Sequence, residues 1–122
     1  MRGDEQRKIR DFFRDHVDHS YKNTQNTIRL SRANSYEHNL RVCQICIALL
    51  ENDIPFYTEV RLTCGLRPDV VCPTHVVKCI EVMHTESDKD FLKKKMPKIP
   101  ESLVGDFIFF QTHTPFKASD VL

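Results

Sequence analysis

The sequence predicts an α/β protein: a mixed central β-sheet flanked by helices, in the order helix, helix, three strands, helix, strand. Three observations predict it. Apolar residues recur at helical spacing before residue 52. From Pro55 the chain turns into short β-forming runs separated by Gly and Pro turns. A charged, helix-compatible segment then precedes the last apolar run, and a helix there permits a parallel crossover.

The first helix is expected over residues 3–20, where Ile9, Phe12, Phe13 and Val17 are spaced for one face. Residues 22–35 are rich in Asn, Thr, Ser and Arg, with only Ile28, Leu30 and Ala33 apolar, and read as a mobile loop. Asn34-Ser35-Tyr36-Glu37 resembles a capping box, with Asn34 as the cap and Glu37 three positions later. The second helix follows to about Glu51. Leu40, Cys43, Ile47 and Leu50 form its expected buried stripe, widened by Cys46 and Leu49. Asn52-Asp53-Ile54-Pro55 stops it.

Strands are expected over 56–62, 66–72, 76–83 and 106–112, with turns at Gly65 and Pro73-Thr74. The close spacing of the first three suggests an antiparallel meander. The third is almost continuously apolar, as at a sheet centre. Ser87 can cap a helix over 88–96 that Pro97 and Pro100 end. The tail from residue 113 reads as loop.

The 122 residues suit one domain: an N-terminal helix and polar loop (1–33), a core (34–112) and a tail (113–122). Eighteen Lys and Arg against 17 Asp and Glu leave a net charge of +1, so nucleic-acid binding requires a local patch. No run is long and apolar enough for a membrane span, and no signal peptide is visible, so a cytoplasmic location is expected, the protein's own or a host's. Five cysteines, an odd number outside a secretory context, read as free thiols.

Two carboxylates stand out. Asp69 follows Pro68 and interrupts an apolar strand, and Glu81 interrupts the next. Carboxylates in central strands are costly unless paired or metal-bound. Two strands joined by a short turn bring them side by side, where a hard cation such as Mg²⁺ relieves their repulsion. Such an ion also activates water and stabilises charge building on a phosphate.

Pro68-Asp69 followed by Glu81-X-X after one hairpin resembles the signature of the PD-(D/E)XK nucleases, and the element order of residues 34–112 is similar to that family's core. The resemblance implies a restriction-endonuclease-like fold and metal-dependent hydrolysis of phosphodiester bonds in DNA. Small members similar to this chain include Holliday-junction resolvases, which act as homodimers on branched DNA. It further implies Mg²⁺ or Mn²⁺ held by Asp69, Glu81 and the backbone carbonyl of Val82, with Glu37 or Glu59 as the third carboxylate. The family's lysine falls two residues after the glutamate, where this sequence has Met83. Lys78 lies an odd number of residues from Glu81 and is expected on the other face. In some members the lysine has moved to the following helix, which makes Lys89 and Lys93 the catalytic candidates. Arg29, Arg32 and Lys94 are the candidates for phosphate contacts.

Two other readings compete. A nuclease-like fold without catalysis would serve as a nucleic-acid-binding or assembly module, as Met83 suggests. A small cysteine protein holding zinc or an iron–sulfur cluster is the second, because Cys43-X-X-Cys46 has ligand spacing. Against it, these cysteines lie in an apolar helical stripe, where cysteine behaves as a small hydrophobe. His16 and His19 have no third ligand nearby in sequence and read as exposed.

Overall fold

A computed structural model describes residues 3–20, 22–83, 93–112 and 114–122. Two helices, α1 (Gly3–His16) and α2 (Tyr36–Glu51), precede a sheet of β1 (Tyr57–Thr58), β2 (Val70–Val71), β3 (Cys79–Met83) and β4 (Phe107–Gln111). The strands lie in chain order. β1 with β2 and β2 with β3 are antiparallel, and β3 with β4 is parallel. The mixed α/β class and the meander are as the sequence predicts. The helix expected over 88–96 falls mostly outside the described residues. Lys93 and Lys94 are helical, and 3-10 turns follow at Met96–Lys98 and Glu101–Asp106.

The sheet has a core on each face, following the alternation of strand side chains. Val71, Cys79 and Met83 pack on one side with Phe12, Ile99 and Leu103. Val70, Cys72, Ile80 and Val82 pack on the other with Val42, Ile45, Cys46 and Leu49 of α2. Every residue of β3 is buried, as expected of a central strand.

The expected strands shorten for local reasons. Glu59 adopts φ +54, a left-handed conformation that breaks the extended run after β1. Val76, expected in the third strand, lies before its start and is exposed. Val17 lies just beyond α1 and bridges Leu62 instead of extending the helix. His16 tilts against Phe12 at 5.3 Å and is half-buried, not exposed. The tail is partly structured: a 3-10 turn spans Ala118–Asp120, and Phe116 and Val121 join the α2 side of the core.

The polar segment 22–35 is not a free arm. The Asn26 N–H donates to Phe56 O at 2.7 Å, and the Phe56 N–H donates to Asn26 Oδ1 at 3.1 Å. Thr58 Oγ1 donates to Thr27 O at 2.8 Å and accepts from the Arg29 N–H at 2.9 Å. These bonds occupy the outer edge of β1, where main-chain groups would otherwise meet water.

α2 corrects two expectations. Its N-cap is Ser35 rather than Asn34; the Ser35 side chain accepts from the His38 N–H. Its buried face is also rotated. Val42, Ile45, Ala48 and Leu49 are buried with Cys46, whereas Leu40, Ile47 and Leu50 are about half exposed, at 44%, 50% and 53%. The helix is apolar on two faces, so periodicity alone did not decide which one meets the sheet.

Candidate active site

The two central strands bring the acidic residues to one end of the sheet. The antiparallel register pairs Val70 with Ile80 and Val71 with Cys79. Carried one step further, it sets Asp69 opposite Glu81, and opposite residues share a face. Asp69 stands where β2 stops. Its Oδ2 accepts from the Val82 N–H at 2.8 Å, so the carboxylate serves the backbone donor that the ladder no longer pairs. Its Oδ1 lies 3.3 Å from His38 Nε2. Glu81 is buried, and its Oε2 is 3.2 Å from Lys95 Nζ.

His38 reaches this point from the first turn of α2. The hydrogen bond to Asp69 raises its pKa above the ordinary histidine value; desolvation opposes the rise, and the charges of Asp69 and Glu81 add to it. The imidazolium is thus favoured beside Asp69. Among the described residues, His38 Nδ1 and the neighbouring Asn39 Oδ1 are buried and make no hydrogen bond of good geometry, although the Asn39 side chain adds to the rise in the histidine's pKa. A buried polar atom left unpaired is costly and uncommon away from functional sites.

The register sets Asp69 opposite Glu81, and the residues that engage each carboxylate differ from those expected. Glu37 is exposed, and its neighbour His38 takes the position at the acidic end. Arg41, one turn on from Glu37, is buried and donates to Gln44 Oε1 and to the carbonyls of Gln111, Thr112 and Thr114. Glu59 adjoins the site through its backbone, donating its N–H to Asp69 O at 3.3 Å. Val82 enters through its N–H, where the expectation was its carbonyl. Lys93 and Lys94 are exposed, and Lys95, the third of the run, reaches Glu81. Lys89 lies outside the described residues. Lys78 Nζ donates to His75 O, away from Glu81. Met83 is buried in the core beside Cys79 and Leu103, which accounts for an apolar residue at the usual lysine position. Arg29 and Arg32 are exposed on the strap along β1.

His38 and Lys95 are the residues the sequence reading missed. His38 had a signal. The true buried face of α2 runs through residues 42, 45 and 49, and one turn back along it is 38. Lys95 had none, because residue 95 leaves the helix at a turn whose direction no periodicity specifies.

The chemistry of the set suits a divalent cation: two carboxylates, an imidazole nitrogen and a nearby ammonium. As folded, each carboxylate is already engaged by a cationic side chain, and Asp69 also by a backbone N–H. Among the described residues, no three His, Cys, Asp or Glu are grouped to hold a metal ion. Among the described residues, the cysteines too form no group of three with other ligand side chains. Burial pushes the Cys46 and Cys72 thiols up to about 12 and that of Cys79 higher still. In the metal-free chain these buried thiols pack as small hydrophobes.

Comparisons with protein-family models, curated proteins and solved structures found no match. Among the described residues, no helix is long and apolar enough to cross a membrane.

Proposed function

We propose that this protein is a metal-dependent nuclease with a restriction-endonuclease-like fold, hydrolysing phosphodiester bonds at Asp69 and Glu81. One observation carries the reading: Lys95 Nζ stands 3.2 Å from Glu81 Oε2, so a lysine from beyond β3 supplies the cation that Met83 does not. Asp69 and Glu81 would hold Mg²⁺ or Mn²⁺, which when bound supplies an activated water and charge neutralisation at phosphorus. Lys95 then orients the water or meets the developing phosphate charge. His38 holds Asp69 in place and, once neutral, offers a nitrogen donor. Asp69 also binds the Val82 N–H, which keeps its carboxylate fixed on the sheet.

DNA, branched forms included, is the substrate the sequence resemblance favours. None of these site groups reads a sugar or base, so RNA belongs in the same test. A homodimer, also implied by the resemblance, would have the outward stripe of α2 to pack on. Tyr36, Leu40, Cys43, Ile47 and Leu50 there follow the spacing of a helix–helix seam. The mass in solution tests that part.

The decisive measurement is cleavage of linear, branched and single-stranded DNA and of RNA with Mg²⁺ or Mn²⁺. Activity lost in Asp69→Ala and Glu81→Ala is the expected result. No cleavage of any form by the intact protein would remove the enzyme reading. A second reading, nucleic-acid binding without catalysis, is favoured by the fact that both carboxylates already carry protein partners. Binding that persists without cleavage, even with lysine restored at Met83, would support it.

A further inference from the structure

We propose that Asn39 is a positioning residue of the candidate site: anchored on the Ser31 carbonyl, its side-chain oxygen takes the Nδ1 proton of His38 and leaves Nε2 as the ring nitrogen that faces Asp69. The further step, from a fixed Nε2 to a bound Mg²⁺ or Mn²⁺, rests on the nuclease reading above.

The amide decides which atom meets the histidine. Asn39 carries a donor end and an acceptor end, and either could face His38. Its Nδ2 donates to Ser31 O at 3.0 Å. A carbonyl only accepts, so this bond assigns Nδ2 to Ser31 and leaves Oδ1 as the remaining end. Asn39 Oδ1 and the Nδ1 of the adjacent His38 are both buried, and among the described residues neither has another hydrogen-bond partner. A buried donor and a buried acceptor are each costly alone, and pairing them satisfies both. The two side chains already interact. The His38 pKa is raised chiefly by the Asp69 hydrogen bond, and the Asn39 side chain adds the smallest part.

The anchor is itself fixed. Ser31 O also accepts from the Asn34 N–H at 3.2 Å, and Ser31 Oγ accepts from the Ala33 N–H at 3.1 Å. That turn leads into Ser35, which holds both residues by their main chain. Its Oγ accepts from the His38 N–H at 3.1 Å, and its carbonyl from the Asn39 N–H at 3.1 Å. Upstream, the same polar segment is bonded to β1 through Asn26, Thr27 and Arg29. The Asn, Thr and Ser content of residues 22–35 thus builds a path of hydrogen bonds from the sheet edge to Asn39.

The consequence lies at the other nitrogen. His38 Nε2 is 3.3 Å from Asp69 Oδ1. An imidazole ring turns broadly about its outer torsion, so one contact at Nε2 leaves its plane free. A second contact at Nδ1 fixes the plane. A carbonyl oxygen there also keeps the proton on Nδ1, which reserves Nε2 for a carboxylate or a cation.

Nuclear magnetic resonance of the metal-free protein with isotope-labelled histidine tests the proposal, together with calorimetry of Mn²⁺ binding. His38 should give a downfield, exchange-protected Nδ1–H resonance. Asn39→Ala should abolish it. Asn39→Asp, which keeps the oxygen and loses the donor to Ser31, should retain it. Mn²⁺ affinity should fall about tenfold in Asn39→Ala and much less in Asn39→Asp. Asn39→Leu, similar in size to asparagine, carries the same expectations if Asn39→Ala does not fold. A retained Nδ1–H resonance in the alanine or leucine variant would overturn the proposal. Loss of the resonance in Asn39→Asp as well would reduce Asn39 to a tie for the strap and also overturn it. So would an unchanged Mn²⁺ affinity in Asn39→Ala when the wild type binds. A wild-type protein that neither binds Mn²⁺ nor cleaves would remove the nuclease reading alone, and the resonance would still decide the role of Asn39.

Discussion

At the scale of single residues, the candidate site is two carboxylates, each held by a cation from another part of the chain. Lys95→Ala should lower cleavage about a hundredfold, the usual contribution of a positioned proton donor or charge. It leaves Glu81 buried without its ammonium and should lower stability by about 1–2 kcal/mol, since Lys95 is itself one-third exposed. Wild-type cleavage by this variant would remove Lys95 from the mechanism. His38 gives a pH signature. Its folded-state pKa is raised, chiefly by Asp69, so the stabilisation is complete below the ordinary histidine value of about 6.5 and is lost as pH rises through the raised value. Denaturant unfolding of the wild type should therefore show stability declining above about pH 6.5, and the decline should flatten in His38→Gln. Identical pH profiles for the two proteins would exclude the pair as its source. Asp69 and Glu81 were legible in the sequence because a carboxylate inside an apolar strand is conspicuous. The residues that neutralise them were not, because which cation meets which carboxylate is decided by a turn and by a helix rotation.

At the scale of elements, α2 makes the same point. Its length and end were legible from helical spacing and the stop at Asn52. Its orientation was not: Leu40, Ile47 and Leu50 recur at helical spacing, as do Val42, Ile45 and Leu49, and either set satisfies the pattern. The structure buries the second set against β3 and leaves the first outward. Leu49→Ala should cost about 2–5 kcal/mol, as for a fully buried leucine, and Leu40→Gln should stay within about 0.5 kcal/mol in the monomer. Equal losses from both substitutions would reverse the assignment of faces. Ser35→Ala should cost about 1 kcal/mol through the lost cap, and Asn34→Ala less.

At the scale of the molecule, Arg41 ties the layers together. It rises buried from α2, donates to Gln111 O at 3.0 Å and Thr112 O at 3.4 Å, also bonds Thr114 O, and lies 5.4 Å over the Phe116 ring. These carbonyls end β4, whose neighbour β3 carries Glu81. Arg41→Ala removes these bonds and should cost about 2–4 kcal/mol, with faster amide exchange at Gln111, Thr112 and Thr114. Exchange confined to its wild-type rate there would show that the tether is dispensable. Arg41→Lys should recover only part of the loss, since an ammonium lacks the fork that reaches several carbonyls at once.

What the sequence determined by itself was set by local, periodic physics: the α/β class, two helices followed by an antiparallel meander, and the placing of Glu81 on a central strand with Asp69 at the end of its neighbour. Apolar spacing and turn residues act over a few positions, so they can be read one segment at a time. What only the tertiary structure decided was long-range: which face of α2 meets the sheet, the strap of 22–35 along β1, and the arrival of His38 and Lys95 at the two carboxylates. Those outcomes depend on where separate segments meet in space, and a buried charge takes whichever partner the packing brings within about 3 Å.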